Sequence, residues 1–287
     1  MMVDHPGLRL SGRFISGSDQ FHPAESLGAV LQRIRDRNVE LSQSVELKLE
    51  RSIGAHCGFG SGTQLSLAVT EGVARLHGMT LSARQAAEAS GRGERSAIGI
   101  FGYEQGGFLV DAGHHQEEVL GELAIRLVVP AEWRILMLLP TGAIGLHGRE
   151  ERKAFSQLKP MGESLTGVLS RLVLTEMLPA LQAGTFERFA IALEEYGTRV
   201  GEFFAASQGG TYASPLIRDL VPKLQRSGVR GMAQSSWGPV VAIPARNQQH
   251  LEELRQTVLS FPEGEKCEIL ATSPRNIGRR LSLSQQD

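Results

Sequence analysis

The segment Cys57-Gly58-Phe59-Gly60-Ser61-Gly62-Thr63-Gln64 decides the fold, because of what stands on either side of it. Before it, residues 45–50 alternate apolar and charged, with Val45, Leu47 and Leu49 on one face, the period of a half-buried strand. After it, Leu65, Ala68, Val69, Gly72, Val73 and Leu76 recur at helical spacing, and Gly78 follows as a C-terminal stop. A glycine-rich turn therefore joins a strand to the N-terminus of a helix. Glycines let an anion approach backbone N–H groups, and the helix dipole favours negative charge there, so Gly58, Gly60, Ser61, Gly62, Thr63 and Gln64 are candidate phosphate-binding residues. The segment lacks the Lys and Ser/Thr of a Walker A loop and the spacing of a dinucleotide fingerprint. A tight strand-to-helix turn with no ligand is the competing reading.

Working outward, Ser82 with Gln85 forms a capping-box pattern opening a short Ala-rich helix. Strands are expected around 98–102, 108–111, 124–129 and 134–139. The second half is more helical. Leu165, Val168, Leu169, Leu172 and Val173 share one face, and Phe186, Phe189, Ala190, Leu193, Val200 and Phe204 another, with Pro179 and Gly184 between the two helices. Ser214 and Pro215 start a third helix that Pro222 is expected to kink or split. Strands at 240–243 and 267–271 flank a helix at 248–259. The boundary falls near Pro130, giving domains 1–130 and 131–287, and the tail from Arg279, which contains Arg-Arg-x-Ser, reads as a frayed terminus.

Three further groups carry polar chemistry. In Gly91-Arg92-Gly93-Glu94-Arg95-Ser96-Ala97-Ile98-Gly99, the Arg92 and Arg95 guanidiniums can fork onto phosphate oxygens, with Glu94 orienting one of them; a solvated charged turn is the alternative. Asp111, ending an apolar strand ahead of Gly113, His114 and His115, is a candidate ligand for a metal or for sugar hydroxyls. Zinc spacing is absent, so a metal there would be Mg²⁺ carried with a phosphate. Gln234, Ser235, Ser236 and Trp237 offer hydrogen bonds and a stacking surface to a small polar aromatic molecule, or form a β-turn with a packing Trp.

Composition narrows the partners. The chain has 287 residues, 41% apolar and 21% charged, so a folded protein is expected, and 30 Lys and Arg against 31 Asp and Glu leave no basic field for nucleic acid or an anionic membrane. Two cysteines, Cys57 and Cys267, make no disulfide framework, and no apolar run approaches the roughly 20 residues of a membrane span, so a cytoplasmic location is expected. The 33 glycines cluster between strand-like and helix-like runs, where close approach or positive φ is needed.

Together these segments resemble the β-ribofuranosylaminobenzene 5′-phosphate synthase family within the GHMP kinase superfamily. The resemblance rests on residues 58–64, on 91–99 through Asp111-Ala112-Gly113-His114, on Gly145-Leu146-His147-Gly148 with Glu151, on Gly201-Glu202-Phe203-Phe204, and on Gln234-Ser235-Ser236-Trp237-Gly238-Pro239. It implies a mixed α/β (α+β) GHMP-kinase-like fold: an N-terminal α/β domain bearing the glycine loop, then a ferredoxin-like domain. The implied reaction, in methanopterin biosynthesis, condenses phosphoribosyl pyrophosphate with 4-aminobenzoate or 4-hydroxybenzoate and releases CO₂ and pyrophosphate. Mg²⁺ and no organic cofactor are expected. Arg92, Glu94, Arg95 and Asp111 are the expected catalytic group, Asp111 also the Mg²⁺ ligand, and Gln234 to Trp237 the aromatic-acid site. The partners are small molecules, with a homodimer left open. The family pattern places a further strand and glycine turn ahead of the stretch matching Met2 to Pro6, which leaves a sheet edge expected to be unpaired. An ATP-dependent GHMP kinase and a non-catalytic binding protein are the rival readings.

Overall fold

The computed structural model describes every residue except 38–40, 55–56, 94–95, 114–119, 144, 146–152, 155 and 284–287. Its contacts divide the chain into two compact units, Met1–Ile53 with Gly60–Arg126 and Arg275–Asp287, and Gly54–Phe59 with Leu127–Pro274. The chain leaves the first unit for residues 54–59, re-enters it at Gly60 within the glycine segment, passes to the second unit at Leu127 and returns to the first at Arg275.

In the first unit, strand β3 (Ser44–Arg51) lies between β1 (Arg9–Ile15), antiparallel to it, and β2 (Gln20–His22), parallel to it. The alternation of β3 buries Val45 and Leu47 against Leu27, Val30, Leu31 and Ile34 of α1 (Ala24–Asp36) and Val69 and Val73 of α2 (Ser61–Leu76). A side chain such as Leu31, 1% exposed, contributes roughly 1.5–3 kcal/mol on leaving water. The other face of α2 puts Leu67 against α3 (Ala83–Ser90) and α4 (Ile98–Gln105) through Ala83, Ala86, Ala87, Ile100 and Tyr103. Ser82 caps α3 in a complete capping box with Gln85. The run at 98–102, expected as a strand, is the start of α4. Its all-round apolar character suits a buried helix as well as a buried strand, and its length decides the matter. Strands β4 (Phe108–Asp111) and β5 (Leu123–Leu127) pair beyond it.

Arg279, where the tail expected to fray begins, is instead fixed in the first unit. Arg279 donates to the Glu71 carboxylate through Nε (2.9 Å to Oε2) and Nη2 (2.5 Å to Oε1), and its backbone N–H bonds the Tyr103 carbonyl at 2.7 Å. Tyr103 Oη donates to Glu71 Oε2 at 2.8 Å, and the guanidinium lies over the Tyr103 ring. The strap is continued by Gly107 N–H to Arg275 O (2.7 Å), Arg275 N–H to Met2 O and Met2 N–H to Gly107 O (both 2.9 Å). Glu71 is 2% exposed, and a buried carboxylate survives only with such partners. Burial is the largest single influence and favours the protonated form, but the Arg279 and Tyr103 hydrogen bonds, with the Arg279 and Arg75 charges, outweigh it and hold the carboxyl below its ordinary range. Burial, and then the charge of Glu71, push the Tyr103 phenol well above its ordinary value.

The second unit is built on an antiparallel sheet of order β7-β8-β6-β9, from β6 (Arg134–Pro140), β7 (Ala233–Gln234), β8 (Val241–Ala245) and β9 (Cys267–Thr272). Helices α5 (Glu163–Arg171), α6 (Leu178–Ala183), α7 (Phe186–Gln208) and α8 (Pro215–Arg226) separate β6 from β7, and α9 (Gln248–Leu259) and α10 (Pro262–Glu265) separate β8 from β9. This is the ferredoxin-like order. Because β6 is central, Ile135, Leu136, Met137 and Leu138 are all buried, which explains its unbroken apolar run. Pro222 neither splits nor ends α8: the buried stripe Ile217, Leu220, Val221 and Leu224 holds the helix together across it. Pro179 also fails to end a helix, since α5 continues through π-helical Leu172–Met177 into α6, and Gly184 in the left-handed region stops it. Residues Glu163–Ala183 reach a mean hydropathy of 1.2 over a length that would cross a membrane, but Arg171 and Glu176 interrupt them and Leu169, Leu172, Met177, Leu178 and Leu181 are buried in this unit.

Candidate functional site

In the first unit the site residues gather at the start of α2. Gly60 is its N-cap in the left-handed region (φ 69°), and its carbonyl accepts from Thr63 N–H and Gln64 N–H, both at 3.1 Å. The preceding helical N–H groups, on Ser61 and Gly62, have no intrahelical acceptor and carry the positive end of the dipole. Arg92 flanks this turn, its Nε donating to Ser66 Oγ at 3.0 Å, and a Cβ built on Gly62 would stand 3.4 Å from Arg92 Nη2. A guanidinium beside a helix N-terminus opposes the dipole, and an anion bound there turns two repulsive charges into two attractive ones. Gly62 is exposed, so the turn is open to such an anion.

The neighbours of this turn serve it indirectly. Gln64 Nε2 donates to the Gly99 carbonyl at 2.8 Å, and a Cβ on Gly99 would meet the Thr63 methyl at 3.1 Å, so both side chains fasten α2 to α4. Asp111 Oδ2 accepts from Ala97 N–H (2.7 Å) and Ser96 Oγ (3.1 Å), and Oδ1 from Gly113 N–H (2.9 Å). It thereby caps α4, whose N-cap Ala97 has no side chain able to do so. Three donors therefore hold the Asp111 carboxylate in place, and among the described residues no group of three His, Cys, Asp or Glu gathers around it. Glu94, Arg95, His114, His115 and the residues 146–152 that include Glu151 lie outside the described residues.

In the second unit, residues 234–240 form a tight turn: Gly238 N–H bonds Ser235 O at 2.8 Å and Ser235 N–H bonds Val240 O at 3.0 Å, with Ser236 at φ 51° and a cis Gly238–Pro239 peptide. Gln234 faces inward, accepting from Ala213 N–H (2.7 Å) and donating to Gln208 Oε1 (3.0 Å) and Ser236 O (3.2 Å). Trp237 is 5% exposed and packs edge-on against Phe204 with ring centroids 4.9 Å apart. The turn reading therefore describes this segment, and only Ser236 of the four is exposed. Ser235 Oγ reaches the glycine segment, donating to the Gly58 carbonyl at 2.6 Å. Burial, then the charge of Glu268, raise the Cys57 thiol above its ordinary value and keep it protonated, a poor nucleophile. The sequence reading missed Ser66, although its place four residues after Gly62 puts both on one helix face.

The fold and its glycine-capped helix define a class. The family model of the GHMP kinases N terminal domain matches residues 25–107. Solved structures of the same fold include homoserine kinase from Cytophaga hutchinsonii (TM-score 0.66, 14% identical, covering 96% of this chain and 88% of that one). Another is mevalonate pyrophosphate decarboxylase from Streptococcus pyogenes (TM-score 0.64, 15%, covering 95% and 87%). Among curated proteins, the beta-ribofuranosylphenol 5'-phosphate synthase of Archaeoglobus fulgidus is 30% identical over 255 residues, 84% of this chain and 77% of that protein. The chain belongs to the beta-ribofuranosylphenol 5'-phosphate synthase family. The protein of that name from Methanothermobacter thermautotrophicus is 36% identical over 200 residues, which are 65% of this chain and 59% of the relative, and that from Methanocaldococcus jannaschii 28% identical over 256, or 83% and 74%. The chain thus spans about three fifths of the first of these relatives' length.

Proposed function

We propose that the chain is a transferase that condenses phosphoribosyl pyrophosphate with 4-hydroxybenzoate or 4-aminobenzoate, releasing CO₂ and pyrophosphate. The kinship with synthases of that product type supports it, and the observation that carries it is the N-terminus of α2, where Ser61 and Gly62 N–H groups and the Arg92 guanidinium make a cradle for a diphosphate. The C1–O bond to pyrophosphate breaks with its electrons going to the leaving group, whose charge those donors stabilise. The ring carbon bearing the carboxylate then bonds to C1. The C–CO₂ bond breaks next, its electrons restore the aromatic ring, and no proton or outside oxidant is needed. Ser66 holds Arg92 in place through its Nε, and the Nη groups stand beside Gly62 at the start of α2. Gln234 and Trp237, spent within the second unit, shape the turn rather than grip the aromatic acid.

The test incubates the protein with carboxyl-labelled 4-hydroxybenzoate or 4-aminobenzoate and Mg²⁺, with phosphoribosyl pyrophosphate in one arm and ATP in the other, and measures volatile label, pyrophosphate and ATP consumption together. Equal amounts of volatile label and pyrophosphate are expected in the first arm. Label kept in solution while ATP is consumed would give the site to a kinase instead, and no turnover with either donor would favour a binding protein.

A further inference from the structure

The Ser235 contact carries an inference about the glycine segment, resting on the reading that this segment takes a diphosphate. The Gly58–Phe59 peptide is trans, so its C=O and N–H point in opposite directions. Ser235 Oγ holds that C=O at 2.6 Å, and the Phe59 N–H is therefore turned directly away from Ser235. The same turn confines the preceding residue. Gly58 stands at φ +91°, and a Cβ there would meet Ser235 O at 2.8 Å, Val240 Cγ1 at 3.1 Å and Gly238 O at 3.2 Å. The plane of the peptide is thus fixed on one side by backbone packing and on the other by a single hydroxyl, and Phe59 N–H has no acceptor among the described residues. We propose that Ser235 is a positioning residue: it aims the Phe59 N–H as a donor for the anion, immediately before the Gly60 cap in the chain. That role differs from contact with an aromatic acid, the part first expected of it.

The two roles separate in one experiment. Titration calorimetry with Mg²⁺-pyrophosphate, which needs no turnover, is run on the wild type, Ser235→Ala and Ser235→Thr, alongside KM for each substrate and the melting temperature. Loss of one hydrogen bond that orients a donor is expected to weaken pyrophosphate binding and raise KM for phosphoribosyl pyrophosphate about five- to tenfold in Ser235→Ala. KM for the aromatic acid should not move, and Ser235→Thr, which keeps the hydroxyl, should recover most of the loss. If Ser235→Ala does not fold, Ser235→Cys, with its weaker donor, takes its place and is expected to fall between wild type and that loss. Unchanged pyrophosphate affinity in a folded variant, or a rise in the aromatic KM alone, overturns the positioning role even if the wild type releases CO₂. Ser235-dependent pyrophosphate binding with no CO₂ release upholds the role and overturns the reaction.

Discussion

Glu71 shows how one side chain ties stability to pH. Its carboxyl is held below its ordinary value of 4.5, so as pH falls through and below that value the unfolded chain takes up a proton that the folded state resists. The pair's contribution is complete above the ordinary value and is lost on acidification through the lowered one. Urea midpoints measured from roughly pH 6 down to pH 3 are expected to fall in the wild type, and Glu71→Gln should flatten the part due to this group. Arg279→Ala leaves the buried carboxylate unpaired and should cost about 3 kcal/mol, the low end for a broken buried pair because the Arg279 side chain is 30% exposed. At Gly62, a valine would put its methyl groups into the space beside the Arg92 guanidinium. Gly62→Val should therefore fold yet lose affinity for phosphoribosyl pyrophosphate, and unchanged affinity by titration would remove the anion from this turn.

Among the elements, α8 carries a proline it does not need. Pro222 is exposed and within the helix, so Pro222→Ala restores a backbone N–H at no cost in packing and should raise stability by about 1–3 kcal/mol in urea unfolding. Elements with a clean period or a cap are legible: α2 from its apolar spacing, α3 from Ser82 and Gln85, and α9 from its place between two strands, with Leu251, Leu254 and Val258 at helical spacing. Elements lacking such marks are not. β1, β2 and α1 carry no such mark, and α4 reads as a strand because Ile98, Ile100, Phe101 and Tyr103 show no preferred face. The site divides in the same way. A glycine segment before a helix is visible in one dimension, and so is Arg92 among glycines. That Asp111 caps α4, that Trp237 packs on Phe204 and that Ser235 binds the Gly58 carbonyl depend on partners up to 177 residues away, which no local pattern encodes.

At the scale of the whole molecule, the proposed reaction sets the ligand that should stabilise the protein. Phosphoribosyl pyrophosphate with Mg²⁺, at about 100 times its dissociation constant, should add roughly 2.7 kcal/mol and raise the melting temperature, whereas ATP at equal concentration should do less. A larger shift with ATP would move the chain toward the kinases whose fold it shares. The strap has a separate consequence for how the chain is made. Glu71 and Arg279 are 208 residues apart, so at about 5–20 residues per second a ribosome needs roughly 10–40 s after finishing the first acid before it delivers the base. Throughout that interval α2 carries a carboxylate that cannot be sealed inside without its partner. The nascent first unit must either leave that helix face wet or keep the acid protonated until synthesis has passed the entire second unit.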